Sequence, residues 1–271
     1  MTIKIFDTKS TIISKNKASI NWKNHNFIHE ESSEIVSEKI DELKNKFNDI
    51  LLLTSDFNEL YKKLRDREFD NFIIFSEYEN LNTSIRNENK VKRITNQFES
   101  INIEKKFDLI VCNLCLHRIN DVIKFSKTLK KMLKKGGGLV CSYFGGKTLI
   151  ELRDSLIKTE QTISNRTYQR VIPYIDMIDA ANLFIKAGFS EVVSDKITFK
   201  VNYKNLLKLL KDIKGVGENG CMIGRKKGLM TKNFLEILEQ FYTKNYQCEN
   251  KKIFATCEII TITMWNEGTQ Q

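Results

Sequence analysis

The segment that decides the fold is residues 107–146, which read FDLIVCNLCLHRINDVIKFSKTLKKMLKKGGGLVCSYFGG. Phe107 to Val111 is an uninterrupted apolar run, which is typical of a strand buried on both faces of a sheet. The pattern next predicts a helix from about Asn120 to Lys134, with lysines near its end that suit the helix dipole. Gly136–Gly138 then turn the chain into a second strand, Leu139 to Phe144. This order predicts parallel strands in an α/β sheet.

The same alternation of strands and helices extends to both sides of this segment. Apolar runs and period-two patterns predict further strands at Ile50–Leu53, Phe72–Phe75, Val91–Thr95, Glu191–Val201 and Ile253–Trp265. Apolar residues at helical spacing predict helices at Glu31–Phe47, Phe57–Leu64, Leu149–Thr162, Ile175–Ala187, Leu206–Ile213 and Asn233–Tyr242. The last two of these helices lie between the last two strands in the chain. We expect them to project from the sheet and to cover the edge at which such sheets bind ligands.

These elements predict an order of units along the chain. We expect an N-terminal helical segment over residues 1–48 and an α/β core over residues 49–200. A helical cap is expected over residues 201–250, and a final strand over residues 251–271 completes the core sheet.

Composition limits the class of protein. The chain has 271 residues, 41% of them hydrophobic, and a single proline, so a disordered or proline-rich scaffold is excluded. Its formal net charge is 44 − 34 = +10. A basic balance can indicate nucleic acid, an anionic membrane or an acidic partner. The charges are scattered and no basic block is interleaved with aromatic residues, so we expect no nucleic-acid partner.

Targeting and metal chemistry give no positive signal in the sequence. Residues 1–21 contain no apolar segment of a signal peptide, and the chain has no apolar run of about 18 residues. We therefore expect a cytoplasmic protein that does not insert into a membrane, with its six cysteines reduced. Cys112 and Cys115 form a C-x-x-C at a strand end, but no second pair or paired histidines complete a metal site, so no metal is expected.

Several ordered motifs resemble one known family. Lys106–Asp121, followed by Leu133–Gly137, resembles the fourth-strand region of class I S-adenosylmethionine (SAM) methyltransferases. More widely spaced segments are similar to one subgroup, the biotin-pathway malonyl-carrier-protein methyltransferases and the methyltransferase-fold assembly factors of respiratory complex I, with the assembly factors closer. Those segments are Ile5–Asp7, Phe27–Glu30, Phe144–Arg153, Ala187–Phe189, Val201–Tyr203 and Gly215–Asn219 with Arg225.

The resemblance implies a fold and a chemistry. The fold is a Rossmann-like, seven-stranded and mostly parallel sheet with helices on both faces and a helical cap between the last two strands. SAM would bind at the strand tips, and the cap would select the substrate. In the biotin branch the substrate is a malonyl thioester on a carrier protein, methylated on its free carboxylate. The assembly-factor branch is associated with an arginine of a complex I subunit and with hydroxylation.

The sequence departs from the family at three cofactor contacts. The turn after the first strand should read roughly D-x-G-x-G, so that backbone can approach the cofactor closely. Leu51–Leu60 contains no glycine at all. The acidic residue expected at the second strand tip is replaced by Ser76, with Glu77 one residue late, and the third-strand acid is replaced by Asn96 or Gln97. We expect SAM binding to be weakened, remodelled or lost.

The resemblance also implies candidate site residues. For the cofactor these are Thr54, Ser55, Asp56, Glu77, Asn96, Asn113, Leu114 and His117. For the substrate they are Phe144, Arg153, Tyr203 and Arg225, because guanidinium groups bind carboxylates in a bidentate manner and the tyrosine can lend its hydroxyl to the pocket. No catalytic dyad is predicted, since methyl transfer depends mainly on proximity and orientation.

Two main hypotheses for function remain open at this point. The first is a SAM-dependent methyltransferase with a degenerate, glycine-free cofactor loop, which acts on a protein or an acyl-carrier-protein substrate. The second is a catalytically silent assembly factor or chaperone that binds a respiratory complex I subunit. A nucleic-acid binder, suggested only by the net charge, ranks last.

Overall fold

The computed structural model describes residues 4–43, 46–56, 58–79, 90–225, 228 and 230–267. The described residues form a seven-stranded sheet in the order β3-β2-β1-β4-β5-β7-β6, in which β7 alone runs antiparallel. The strands are β1 Asp49–Thr54, β2 Asn71–Ser76, β3 Val91–Thr95, β4 Phe107–Asn113, β5 Leu133–Phe144, β6 Ser190–Tyr203 and β7 Ile253–Asn266. The α-helices are α1 Thr8–Ala18, α2 Phe27–Glu42, α3 Glu59–Leu64, α4 Val122–Met132, α5 Ile150–Ser164, α6 Met177–Lys186, α7 Leu206–Gly215 and α8 Lys232–Tyr246.

Helices cover both faces of the sheet because successive residues of its central strands point in opposite directions. Leu109 and Val111 of β4 pack with residues of α2 and α3 on one face. Ile110 and Cys112 pack with residues of α4 and α6 on the other. The predicted α/β class, the seven strands and the mostly parallel arrangement are therefore confirmed.

Several boundaries differ from the sequence prediction. The strand β5 begins at Leu133, before the three glycines, because Leu133 pairs with Phe107 of β4, and Gly137 and Gly138 then pair with β7. A residue with left-handed backbone, Gly136 (φ 74°), marks the irregular stretch in the pairing with β4. The helix α2 begins at Phe27, four residues before the predicted start. The start predicted for the next helix, Phe57, lies outside the described residues.

The cap consists of α7 and α8, which lie between β6 and β7 in the chain. Both begin at a side-chain cap, Asn205 for α7 and Thr231 for α8, each accepting a hydrogen bond from a first-turn backbone N–H. Apolar residues of both helices, of α5 and of the adjoining strand ends form a separate small core. This core places the cap at the carboxyl edge of the sheet.

An N-terminal strap, residues 4–18, crosses between the sheet and the cap. The Asp7 N–H donates to the Cys221 carbonyl at 2.6 Å, and the Ile223 N–H donates to the Ile5 carbonyl at 2.9 Å. On the sheet side, Asn120 Oδ1 accepts from the N–H groups of Ile5 and Phe6 at 2.8 and 2.9 Å. These bonds hold α1 over the strand tips.

Candidate functional site

The order of strands reverses between β1 and β4, and ligands of open α/β sheets bind at such a point. A narrow cleft, here called the edge cleft, lies at this position. It is lined by Thr8, Thr11, Ser55, Glu77, Tyr78, Phe98, Glu99, Leu114, Cys115, Arg118 and Ile119. Its volume is about 10 Å³, room for one water molecule. The strap therefore leaves little free space at the strand tips.

The turn after β1 contains a left-handed residue that is not a glycine. Asn58 has a φ of 78°, a conformation that asparagine adopts more readily than most residues. Asp56 donates its N–H to Thr54 Oγ1 at 3.1 Å and accepts from the Asn58 N–H at 2.8 Å. Ser55 Oγ donates to the Leu114 carbonyl at 2.7 Å. The turn is thus held by its own side chains, which fill space that glycines would leave open.

Asn113, at the end of β4, is the centre of a buried polar network. Its Oδ1 accepts from Ser32 Oγ at 2.9 Å and from Ser142 Oγ at 2.7 Å. Its Nδ2 donates to Asp56 Oδ2 at 2.7 Å and to Ser33 Oγ at 3.2 Å. All the hydrogen-bonding capacity of this amide is used within the protein.

Glu77, one residue beyond the end of β2, reaches the edge cleft. Its Oε1 accepts from the Phe98 N–H at 2.9 Å. Ser76, the residue that the family pattern aligns with the acidic position, instead accepts the Tyr78 N–H at 3.1 Å. Asn96 is exposed, accepts from its neighbour's N–H and does not line the cleft.

Two carboxyl groups at these tips titrate near neutrality. Burial raises the pKa of Asp56 to about 7, and the nearby Glu59 carboxylate adds to the rise. Burial also raises the pKa of Glu77 to about 7, although the hydrogen bond from Phe98 and the charge of Arg118 act in the opposite direction. A carboxyl group with such a pKa that lines a cleft, as Glu77 does, is typical of a functional site.

A second group of charged side chains, here called the Glu218 cluster, lies beside the edge cleft. Glu218 comes from the loop after α7, and Lys15 Nζ donates to its Oε1 at 2.6 Å. Arg118 donates to Oε2 from Nη2 at 2.6 Å and from Nε at 3.1 Å. His117 Nε2 lies 3.2 Å from the same oxygen, and His29 Nε2 lies 4.0 Å from Oε1. Each of the five residues is at most 9% exposed.

Burial and mutual charge set the protonation of this cluster. Burial alone would raise the pKa of Glu218, but the charges of Arg118 and Lys15 hold it well below its usual range. Burial lowers the pKa of both His29 and His117, and the Lys15 charge lowers that of His29 further. Burial lowers the pKa of Lys15 as well, against the opposing charge of Glu218.

Two cavities lie on the cap side of Glu218. The larger, here called the cap cavity, has a volume of about 430 Å³ and a mostly apolar lining that includes Arg170, Lys214 and Arg225. The smaller, the inner cavity, has a volume of about 50 Å³ and an almost wholly apolar lining that includes Phe144 and Tyr203. Both are lined by Leu149, Tyr174, Ile213 and Glu218. The two cavities are therefore neighbours on the cap side of the sheet edge.

The structure brings most of the predicted residues to these two regions. Thr54, Ser55, Asp56, Glu77, Asn113 and Leu114 lie at the tips of β1, β2 and β4, whereas Asn96, which follows β3, does not line the edge cleft. His117 contacts Phe144, with ring centroids 5.0 Å apart. Arg153 does not line the cap cavity; it borders a separate surface groove with Tyr168 and Pro173.

The sequence interpretation missed four members of the Glu218 cluster as site residues, namely Lys15, His29, Arg118 and Glu218. Lys15 falls on the buried stripe of α1 between Thr11 and Ala18, so a lysine at a core position was an available signal. Glu218 lies in the Gly215–Asn219 motif, which was used only for the resemblance. Arg118 gave no signal of its own.

The donor set of the edge cleft suits SAM, the cofactor that the resemblance implies. Glu77 supplies a carboxyl for sugar hydroxyls, and Phe98 and Tyr78 place aromatic rings beside it. The volume does not admit a nucleoside in the described conformation, so binding requires Thr8 and Thr11 of the strap to withdraw.

Neither a three-residue metal cluster nor a membrane-spanning helix occurs in the described part of the chain. Within the ranges given above, no group of three or more His, Cys, Asp or Glu side chains is arranged to hold a metal ion. Cys112 and Cys115 are buried, and burial raises the pKa of both thiols. No helix of the described ranges is long and apolar enough to cross a bilayer.

Comparison with known proteins agrees with this architecture. Mouse arginine-hydroxylase NDUFAF5, mitochondrial, is 33% identical over 168 residues, which cover 62% of this chain and 49% of that protein. Malonyl-[acyl-carrier protein] O-methyltransferase of Methylovorus sp. (strain MP688) is 29% identical over 158 residues, covering 58% of this chain and 51% of that protein. The chain thus spans about half the length of these curated relatives.

A solved structure shares the fold at low identity. The YcgJ protein from Bacillus subtilis matches with a TM-score of 0.58 over 86% of this chain and 98% of that one, at 10% identity. A family model described as a methyltransferase domain matches residues 28–194, which is more than half of the chain. The chain therefore belongs to the methyltransferase-domain family.

Proposed function

We propose that this protein binds SAM at the edge cleft and transfers its methyl group to an acceptor that enters through the cap. The observation that carries the proposal is the position of Glu77. Its carboxyl group lies in the cleft at the tip of β2, next to the strand-order reversal, where sheets of this kind bind ribose hydroxyls. SAM would supply an activated methyl group, and Ser55 and Leu114 would border it on the β1 and β4 side.

The cap cavity supports a chain-like or protein-borne acceptor. Its lining is mostly apolar and includes the cationic side chains of Lys214 and Arg225, together with Arg170, which pairs with Glu160 at 2.6 Å. Such a surface favours an acceptor with an apolar arm and a negatively charged carrier or end. A malonyl group on an acyl-carrier protein has this chemistry, and one relative is named for that reaction. We therefore rank a carrier-bound carboxylate first among acceptors.

The test of the proposal is direct titration of S-adenosylhomocysteine into the purified protein by calorimetry, with thermal shift as a second readout. We expect saturable binding in the micromolar range and a rise in melting temperature as ligand exceeds Kd. Glu77→Ala should lower the affinity by about tenfold, since it removes a charge-assisted hydrogen-bond acceptor. Glu79→Ala, an exposed neighbour, is the control. Absence of binding up to millimolar ligand would exclude the proposal.

A second candidate is a silent assembly factor for a respiratory complex I subunit. The observation that favours it is the small volume of the edge cleft, about 10 Å³. The buried Glu218 cluster lies directly beside the cleft. This candidate predicts a complex with the subunit that forms equally well with and without S-adenosylhomocysteine. Arg225→Gln should weaken that complex, and Arg65→Gln, on an exposed side chain away from the cap cavity, should not. A complex that forms only with the cofactor present would argue against it.

A further inference from the structure

The ion pair of Arg118 and Glu218 separates the edge cleft from the cap cavities. Arg118 lines the edge cleft, and Glu218 lines both the inner cavity and the cap cavity. The two side chains are joined at 2.6 Å and each is about nine-tenths buried. Methyl transfer requires the reacting atoms to approach within about 3–3.5 Å. In the described conformation, this pair therefore lies between a donor in the cleft and an acceptor in the cap.

The Glu218 cluster contains more hydrogen-bond donors than acceptors. Lys15 and Arg118 carry two positive charges, and Glu218 is the carboxylate that bonds to both. Among the described residues, Arg118 Nη1 is buried and has no acceptor. Neither ring nitrogen of the buried His29 has a hydrogen-bond partner there. A buried cation with a free donor is costly unless a further anion can bind.

Arg118, which carries the free donor, lines the edge cleft. Lys15 is one helical turn from Thr11, which lines the cleft, and it interacts electrostatically with Asp56 at the tip of β1. The lining of the cleft thus includes the carboxyl group of Glu77, which would bind a sugar, and the guanidinium group of Arg118. Lys15 adds a second cation, since it is joined to the same Glu218 carboxylate as Arg118. These groups suit a ligand that has a nucleoside at one end, for Glu77, and a carboxylate at the other, for Arg118 and Lys15.

We propose that Lys15 and Arg118 bind the carboxylate of the ligand's amino-acid end in exchange for Glu218, and that this exchange opens the wall between the edge cleft and the cap. In the closed protein, the Glu218 carboxylate itself occupies the site between Lys15 and Arg118 that the ligand carboxylate would fill. The strap and the cap loop then separate from each other, because Lys15 belongs to the strap and Glu218 to the cap loop. Ligand binding is thereby coupled to acceptor access, and the cofactor binds first. This inference rests on the proposed function.

The experiment compares two probes, S-adenosylhomocysteine and 5′-methylthioadenosine, which share the nucleoside thioether and differ in the amino-acid tail. Calorimetry is done on the wild type, on Lys15→Met and on Lys17→Met, the last being an exposed lysine of the same helix. Lys15→Met leaves Glu218 paired with Arg118, so the fold keeps a neutral pair. We expect it to weaken S-adenosylhomocysteine binding at least tenfold and to change methylthioadenosine binding by no more than about twofold, with Lys17→Met equal to wild type for both.

Glu218→Gln tests the exchange from the other side. A neutral amide competes less well for Lys15 and Arg118, so S-adenosylhomocysteine should bind several-fold more tightly while methylthioadenosine is unchanged. Trp22 gives a readout that needs no cluster variant, because its ring lies 5.5 Å from the Lys15 ammonium. In a Trp265→Phe background, its fluorescence should change with S-adenosylhomocysteine and not with methylthioadenosine.

The outcomes separate this inference from the proposed function. If neither probe binds, the proposed function is wrong and the inference falls with it. If both probes bind and Lys15→Met affects them equally or not at all, the carboxylate exchange alone is wrong. Weaker S-adenosylhomocysteine binding to Glu218→Gln would likewise overturn the exchange.

Discussion

Asn113 at the end of β4 donates from its amide nitrogen to the carboxyl of Asp56, just beyond the end of β1, at 2.7 Å, and neither residue is exposed. Because β1 and β4 are the neighbours between which the strand order reverses, this bond joins the two sides of the ligand edge. Ser32 and Ser33 of α2 bond to the same amide. The N-terminal segment and the sheet are thus linked at one side chain.

Asn113→Ala is expected to lower the free energy of unfolding by about 2–4 kcal/mol, since it leaves several buried partners, including the Asp56 carboxyl, without their hydrogen bonds. Chemical denaturation at pH 7 measures the change. Asn96→Ala, on an exposed amide at another strand tip, serves as control and should fall within about 0.5 kcal/mol of wild type. Equal stability of the two variants would show that the Asn113 network contributes nothing.

The sheet could be predicted from the sequence because its strands are short apolar runs, such as Phe107 to Val111. Segments with apolar residues at helical spacing separate these runs. The start of β5 could not, since Gly137 and Gly138 have no side-chain preference for a strand and become extended by pairing with β7. Tertiary pairing decided that boundary. The same limit applies to α2, whose first turn, from Phe27, has no side-chain cap.

The strand-tip residues could be predicted because parallel strands bring their carboxyl ends together, whereas the Glu218 cluster could not. Lys15, Arg118 and Glu218 lie about a hundred residues apart in sequence, and each is a charged residue of a type usually found at the surface. Only the packing of the strap against the cap buries them. The surroundings of Arg153 could not be predicted for a related reason, because the sequence gives its helix but not the groove that it borders.

The raised pKa of Glu77 predicts a pH dependence of stability. Its pKa is about 7 in the folded protein against an ordinary value of 4.5, so the folded state holds the proton to higher pH than the unfolded state does. Stability contributed by this group is therefore lost as pH rises from about 4.5 through 7. Glu77→Gln removes that loss. We expect the variant to gain on wild type by about 1–3 kcal/mol between pH 5 and pH 8 in denaturant titrations.

A control for this pH dependence is Glu79→Gln, which alters an exposed carboxyl two residues away. Its stability should follow that of wild type at every pH. A Glu77→Gln variant whose advantage is the same at pH 5 and pH 8 would mean that the Glu77 carboxyl ionises in the ordinary range.

Glu218→Ala is expected to destabilise the protein by about 3–5 kcal/mol, because it leaves Lys15 and Arg118 buried without their carboxylate. Acetate or formate should restore part of the loss by binding between the two cations, so the melting temperature of the variant should rise with their concentration. The wild type, in which Glu218 holds the site, should respond only to ionic strength. Chloride at equal ionic strength is the salt control.

Glu151→Ala is the matched variant for this rescue, since it also removes a buried carboxylate. Glu151 accepts from the N–H and the hydroxyl of Thr256 and has no cationic partner among the described residues. Small carboxylates should therefore not rescue it. Rescue of both variants would indicate a general effect of the anions on stability, and rescue of neither would remove the evidence for an anion site.

Gly217 brings the cap loop into direct contact with the strap, and an alanine there should disturb the seal over the edge cleft. Its φ is +68°, and a Cβ at this position would lie 2.9 Å from Lys15 Cα, a backbone atom that cannot rotate away. Gly136 has a similar φ of +74° and open space around it. The substitution Gly136→Ala should therefore cost only the backbone strain of a left-handed alanine, without a steric clash. We expect Gly217→Ala to be less stable than Gly136→Ala by about 1–3 kcal/mol, measured by chemical denaturation. Equal loss in the two variants would mean that the strap shifts freely against the cap, which the buried bond from Lys15 to Glu218 argues against.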